Sequence, residues 1–542
     1  SNNLKKVPVS SVKGSVDING LTDAKTFGTG SIMIGDTTTG TIDAANYNTG
    51  LGVDIFAALT SGDENTAIGA FSLGAVTTGQ YNTGLGKGTL EANTTASWNT
   101  AVGTNAMQSN TTGTPNVAVG ANALDANTTG YNNAAVGYDV MTDNTTGHSN
   151  AALGTSALAN NTDGDSNTSV GHGAMFDNTS GANNTALGYL ALGDNTTADN
   201  STAVGYNALR VNTATSNTAV GYHAMSANTT GTGHVALGSS ALAANTTGTN
   251  HVAIGQVALT SNTTGTANVA CGRATLYTNT TGADNTAVGT NALLSNTTGG
   301  QNTAIGALAL DANTTASYNT SVGYGSLSSN TTGNANTAVG GNALVTNSTG
   351  SGNTAMGYKA LDTNSTGIHN TAIGAYALDA NTTGQLNTSV GYESLYTNST
   401  GSSNQAFGRR ALYLNTTGIE NSAFGYLAMD SNTTGSYNVA MGNNALGANT
   451  TGATNTAVGV TALGAATTAG DNTAVGYDTA RQTTTGHSNA ALGRSALDAN
   501  STGSQNTACG HYALVSNTTA DRNTAVGKSA LDSVTTGGNN VG

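Results

Sequence analysis

The sequence predicts an all-β fold, a parallel β-solenoid or β-roll of about thirty short coils stacked in one continuous array. Three observations carry this. A 17-residue unit repeats, and its glycine recurs every 17 residues from Gly35 to Gly205, slips once to Gly221, and then keeps step to Gly527. The apolar residues fall on fixed columns of that unit, which a disordered low-complexity chain has no reason to do. The unit also carries strand and turn chemistry; Gly, Thr and Asn at this density suit a helix poorly.

Residues 1–30 stand apart from the array at 31–542. They hold Lys5, Lys6, Lys13 and Lys25, four of the 14 basic residues, and Pro8, one of two prolines. They read as a solvated leader or first cap, or as an attachment segment. The array follows, and a clean unit runs from Asn370 to Leu386. Numbered from its Asn, the unit has Thr or Val at position 2, a small residue at 3, an apolar residue at 4 and Gly at 5. Positions 2–4 form a short strand, with 2 and 4 on one face and 3 on the other. The Gly permits a positive φ at a corner, or close approach of another backbone. Ala-Leu at positions 8 and 9, with Met at Met107, Met175, Met225 and Met429, reads as a second short strand with one large inward side chain. Asn-Thr-Thr-Gly or Asn-Ser-Thr-Gly then makes a turn.

Stacked coils bring like residues over like at ~4.8 Å, so Asn columns form amide ladders and Thr columns exchange hydroxyl hydrogen bonds. Thirty coils would measure on the order of 140 Å. The short unit before Gly221 loses its residue in the turn 212–217, where strand register is unaffected. The sequence stops inside a unit at Asn540-Val541-Gly542, which reads as an open end or as a chain that continues. Positions 4 and 9 offer two large side chains per coil for burial, little against the entropy of ordering 17 residues. The small columns at 3 and 8 therefore suggest packing against two further copies of the chain.

Asn116-Val117-Ala118-Val119-Gly120 and His251-Val252-Ala253-Ile254-Gly255 resemble the head repeats of trimeric autotransporter adhesins. The fuller unit, with Ala-Leu and Asn-Thr-Thr-Gly, is similar to repeats of phage tail fibres. The resemblance covers residues 31–542. It implies a left-handed, homotrimeric β-roll in an extracellular fibre, at a cell surface or on a virion. The 17-residue period is longer than the usual adhesin head unit, and no coiled-coil stalk, membrane anchor or chaperone domain accompanies it.

Little in the sequence reads as chemistry. The net charge is −14 and Lys and Arg are sparse, so nucleic acid is not an expected partner. No apolar run is long enough to insert in a membrane. There is no nucleophile elbow, phosphate loop, HExxH or paired-Cys motif, and neither an enzyme nor a cofactor is expected. Cys271 and Cys509 sit at position 4, roughly 65 Å apart by rung count, and read as small buried hydrophobes rather than a disulfide. His234 and His251 replace the first Asn of adjacent units; they should stack about 5 Å apart, as ladder substitutes rather than as a two-His metal site. Asp125, Asp362, Asp379 and Asp498 at position 10 read as solvated edge charges rather than calcium ligands.

Tyr81 and Trp98 share position 17 in adjacent units, and are the candidates for glycan contact, against ordinary ring stacking. The turns also spell N-glycosylation sequons, as at Asn93, Asn110 and Asn127; turn chemistry alone accounts for them, and sugars on every rung would crowd. The expected function is a structural fibre shaft or adhesin-like rod for surface attachment or receptor display, with itself and a cell-surface carbohydrate or receptor as partners. The alternative is a filament joined end to end through the leader and the open C-terminal coil. Ice binding through Thr columns is a third, weaker reading, because the Thr pairs are expected in turns.

Overall fold

A computed structural model describes residues 24–35 and 44–542. Most of the expected leader, residues 1–23, lies outside the described residues. The chain divides into two compact units, one ending at Thr264 and the other spanning Gly265–Gly542. In each, the regular structure is all strand, and the solenoid predicted from the repeat is what forms.

The first unit opens with a hairpin. Strand β1 (Ala24–Phe27) pairs antiparallel with β2 (Ser31–Gly35), with Ala24 opposite Ile34 and Phe27 opposite Ser31. The hairpin covers the open edge of the first coil. Thus the last residues of the expected leader already belong to the fold. From β2 onward the strands of this unit pair in parallel, one per repeat, to β15 (Val252–Ile254). The second unit does the same from β16 (Val269–Cys271) to β31 (Thr524–Val526). Thr303, Ala304 and Ile305 lie beside Thr320, Ser321 and Val322, one repeat on. Register survives the short repeat, because Thr202, Ala203 and Val204 still face Thr218, Ala219 and Val220.

The strand is inverted relative to expectation. Position 3, the small residue, points inward: Ala304 is fully buried, whereas Ile305 at position 4 is 41% exposed. A three-residue strand turns its middle side chain one way and its flanks the other. Beyond the first coil, where Met33 is buried, the inward slot is shallow. At Gly84 even a Cβ would come 2.5 Å from Ser72 Oγ and 2.8 Å from Thr89 Oγ1, both at position 8. The small columns at 3 and 8 therefore pack against each other inside the coil, not against another chain. The two cysteines follow the same correction: Cys271 and Cys509 are free thiols on the outward column, half-buried rather than core.

Nor do positions 8 and 9 form a second strand. They belong to a run of turns, with Leu310 at φ 54° and Leu293 at φ 51°. Leu310 N–H bonds to Ser326 C=O of the next coil, and Asn313 N–H folds back to Leu310 C=O. The Leu is buried as expected, but in left-handed backbone. That explains a restriction in the sequence: from Phe56 onward position 9 is Leu or Met except for Phe56 and Ala480, and never β-branched. A branched Cβ is disfavoured at positive φ. The position-5 glycine meets both of its expected demands. Gly306 has φ 132°, and a Cβ there would lie 2.5 Å from the carbonyl oxygen of Gly323.

Buried asparagines join coil to coil. At position 1, Asn319 N–H donates to Asn302 Oδ1 at 3.0 Å, and Asn302 Nδ2 donates to Ala316 C=O at 2.9 Å. At position 12, Asn313 Nδ2 donates to Asn296 Oδ1 at 2.8 Å and to the same Ala316 carbonyl at 3.0 Å. The Thr column bonds differently from expectation: Thr314 Oγ1 donates to the backbone carbonyl of Thr331, not to its hydroxyl. Where position 12 is not Asn, the ladder breaks and leaves an acceptor unsatisfied. Asn449 Oδ1 lies below Ala466 and Asn517 Oδ1 below Val534, and neither has a hydrogen-bond partner; Asn195 Oδ1 is also without one, although the next coil keeps Asn212, because in the shortened turn Asn212 Nδ2 donates to Ala214 C=O.

Two predictions follow from these columns. Leu310→Ile should destabilise the chain by ~1–3 kcal/mol through backbone strain, while Leu310→Met stays within ~1.5 kcal/mol. Chemical denaturation compares them, and equal effects would refute the backbone explanation. Ala466→Asn supplies the missing donor to Asn449 Oδ1 and should stabilise by ~1 kcal/mol, seen as a higher denaturation midpoint.

Candidate interaction surface

The inward columns are occupied by Ala, Leu and Asn, so any contact with a partner falls to the outward ones. The strand face carries two. Position 2 is mostly Thr, half-exposed, and position 4 is apolar, mostly aliphatic but with Cys271, Phe407, Phe424 and Cys509 among its members, and open to solvent along both units, from Leu51 and Leu153 in the first to Met441 and Leu492 in the second. Contiguous apolar area beyond a few hundred Å² on a protein surface marks an interaction site. Within each unit this column is unbroken, because every repeat contributes one member. The Thr column lies on the strand itself, and not only in the turns where Thr pairs were expected.

The remaining outward columns, chiefly at positions 6, 7, 10, 11, 16 and 17, hold most of the ionisable and aromatic residues. Tyr81 and Trp98 are brought together as the spacing predicts. Their rings stack at 4.0 Å and 13°, so one face of each is covered by the other, and Trp98 remains 61% exposed. Sequence reasoning missed a longer array at position 6. His172, Tyr189, Tyr206 and Tyr222 stack in succession with centroids 5.4, 5.1 and 5.5 Å apart. In the second unit Arg409 lies between Tyr392 and Tyr426, and Arg494 lies against Tyr477. The signal is in the sequence, where Tyr recurs just after the repeat Gly, as at Tyr206, Tyr222 and Tyr358.

The sequon asparagines do not fit a glycan in the folded chain. Asn93, Asn110 and Asn127 are fully buried. The nitrogen that would carry the sugar is a ladder donor: Asn110 Nδ2 gives hydrogen bonds to Asn93 Oδ1 and Gly113 C=O, and Asn127 Nδ2 to Asn110 Oδ1 and Gly130 C=O. A substituent there would break both bonds and has no room.

His234 and His251 stack at 5.1 Å, both buried. They imitate the asparagine they replace. His251 N–H donates to His234 Nδ1 at 3.2 Å, as a following rung donates to Asn Oδ1. His234 Nε2 faces the Gly248 carbonyl and lies 3.3 Å from Asn245 Nδ2, and His251 Nε2 lies 3.1 Å from Asn262 Nδ2. Among the described residues no three His, Cys, Asp or Glu side chains are grouped to hold a metal ion. Burial, and then the neighbouring His251, push the His234 pKa down to about 4; the hydrogen bond to Gly248 opposes them.

The position-10 carboxylates are less solvated than expected. Burial raises Asp125 and Asp311 above the usual carboxylate range. Asp379 rises to about 6, first through burial and then through Asp362 on the adjacent rung, with Lys359 opposing. Near the start of the first unit an open concavity of ≈ 290 Å³ lies over Asp54, Phe71, Gly74 and Glu91. It presents two carboxylates and a ring. Among the described residues no helix is long and apolar enough to cross a membrane.

No protein-family model matches the chain, and no curated protein matches it in sequence.

The histidine pair makes the first unit sensitive to acid. Because His234 is held neutral, its contribution is complete above the ordinary pKa of 6.5 and is lost as pH falls toward about 4. The full loss is roughly 3 kcal/mol by linkage. His234→Asn restores the amide ladder and should flatten stability between pH 7 and 4.5. Denaturation midpoints at both pH values, for wild type and variant, read the difference; parallel pH dependences would reject it.

Proposed function

We propose that this chain is the repeat region of an extracellular fibre or adhesin-like rod, at a cell surface or on a virion. In this reading copies associate side by side through the strand face, as a homotrimer, and the other columns are presented outward for attachment. The observation that carries the reading is the apolar position-4 column, half-exposed in every repeat while the core is built from smaller residues and Leu. A continuous stripe of mainly Val, Ile and Leu beside a Thr column is costly to leave in water. Burying it against the same column of another copy removes that cost, and the regular rung spacing lets copies match rung for rung. The sparse charge of the chain, 8% of residues, is compatible with such close approach. The loss of the position-3 columns as a docking surface moves the expected interface without abolishing it: the large column takes over the role assigned to the small ones.

Mass photometry of the wild-type chain should give three chain masses, and the double variant Ile305→Asp/Ile373→Asp should dissociate to folded monomers, since both side chains lie on the outward column. Mild oxidation adds a register test. Copies aligned rung for rung place Cys271 beside Cys271 and should yield disulfide-linked pairs on non-reducing gels. A wild-type chain that is a folded monomer at micromolar concentration defeats the reading. Electron micrographs of indefinite fibres in place of discrete particles would favour the end-to-end filament.

A further inference from the structure

In a repeat array most side chains are accounted for by their column, so departures from the column stand out. They concentrate in five consecutive coils of the second unit. Residues 358–430 hold six of the 19 tyrosines and three of the 14 Lys and Arg residues. All lie on the outward positions 6, 7 and 10. The inward positions of the same coils are ordinary, with Ala377, Leu378, Ala411 and Leu412 buried as elsewhere. Nothing in the stacking of coils requires this chemistry.

The centre of the cluster is Arg409. Its guanidinium carbon lies 6.0 Å from the Tyr392 ring centroid and 5.7 Å from that of Tyr426, one coil to either side. Arg409 and both rings are exposed. Three cations at positions 7 and 10 have carboxylate partners: Arg410 pairs with Asp430 at 3.3 Å, Lys359 with Asp362 at 3.6 Å, and Arg481 with Asp498 at 3.1 Å, whereas Arg273 and Arg494, at position 6 like Arg409, form no ion pair among the described residues. Arg409 has none among the described residues. A guanidinium held between two rings keeps its in-plane N–H donors for a ligand, and has already lost much of its rotamer freedom. Beside it, Arg410 stacks on Tyr413 at 4.2 Å, and Tyr413 on Tyr396 at 5.3 Å, which fixes a second row of phenols along the same face.

We propose that Arg409, clamped between Tyr392 and Tyr426, is a binding site for a glycan bearing an isolated carboxylate. The fork geometry of the guanidinium selects a planar, two-oxygen anion. The surroundings select what carries it. Glu393 and Asp430 lie within the patch, and the chain as a whole carries a net charge of −14. These repel an acidic peptide or a densely sulfated polymer, but accept hydrogen bonds from sugar hydroxyls. The rings offer amphipathic contact to a pyranose at low entropic cost. This deepens the attachment reading above by naming a ligand class and a site, and it takes from that reading the ligand's being a glycan.

The test uses the full chain in its assembled state, with 3′-sialyllactose and lactose as paired probes and polyglutamate as the acidic peptide. Calorimetry or surface plasmon resonance should show the sialylated probe bound at least about tenfold more tightly than lactose, the size of one charge-assisted contact. Arg409→Gln should remove that preference. Arg409→Lys should not restore it, because the point charge lacks the planar fork. Arg273→Gln, at the same position of a coil without flanking tyrosines, should leave binding unchanged. Circular dichroism and mass photometry confirm that each variant folds and assembles. Equal binding of lactose, stronger binding of polyglutamate, or full retention by Arg409→Gln would each overturn the site. An assembled wild-type chain that binds no probe would overturn it while leaving the fibre reading intact. A chain that binds through Arg409 as a monomer would do the reverse.

Discussion

The structure depends on one carbonyl group per coil. The residue at position 15, Gly or Ala, turns its C=O inward, where it accepts hydrogen bonds from the two asparagine amides of its own coil. Ala316 takes Asn302 and Asn313 in this way, and Gly113 takes Asn99 and Asn110. Each amide then uses its remaining groups on the neighbouring coil. The amide is suited to this because it is donor and acceptor at once, and a buried amide left unpaired costs ~1–3 kcal/mol. The network therefore fixes both the path of the turn and the offset between coils. It also explains why the interior of an all-β protein is so polar: the asparagines do the orienting, and Ala and Leu fill what is left.

Much of the fold was legible because the repeat averages out noise. The period, the strand at positions 2–4, the corner glycine, the Asn-Thr turn and the amide ladders all follow from residue types on fixed columns. The facing of the strand did not follow. Apolar size pointed to position 4 as core, yet available depth decides, and from Gly50 onward the inward slot holds only Ala, Ser or Gly. A clue was present. Position 4 is rich in Val and Ile, while position 9 excludes them from Phe56 onward. Branched residues mark extended backbone, and their absence marks a left-handed turn. Two apolar columns that look alike by hydropathy are thus distinguished by branching, and the one at the turn is the true core.

The candidate surface was legible in part. Tyr81 and Trp98 were paired correctly from spacing, as were the two histidines. The Tyr-Arg-Tyr clamp was hidden because its members lie 17 residues apart and each alone is an ordinary surface residue. The sequons, read in the sequence as turn chemistry, are a surface pattern written in residues whose side chains face inward. Both cases say that function in a repeat array is found by subtracting the column. What the ladder demands carries no information about partners; any such information lies in what it does not demand.

The fixed step between hydrogen-bonded coils bears on how the chain acquires its shape. Every ladder contact closes a loop of one repeat, so the entropic penalty of closure is nearly the same at each addition. No distant segment has to be found. Once one coil exists, the next can anneal onto its exposed amides and carbonyls, in the manner of a zipper. Nascent chain leaving a ribosome would have the preceding coil as its template, and the hairpin at Ala24–Gly35 is made before the coils that follow it.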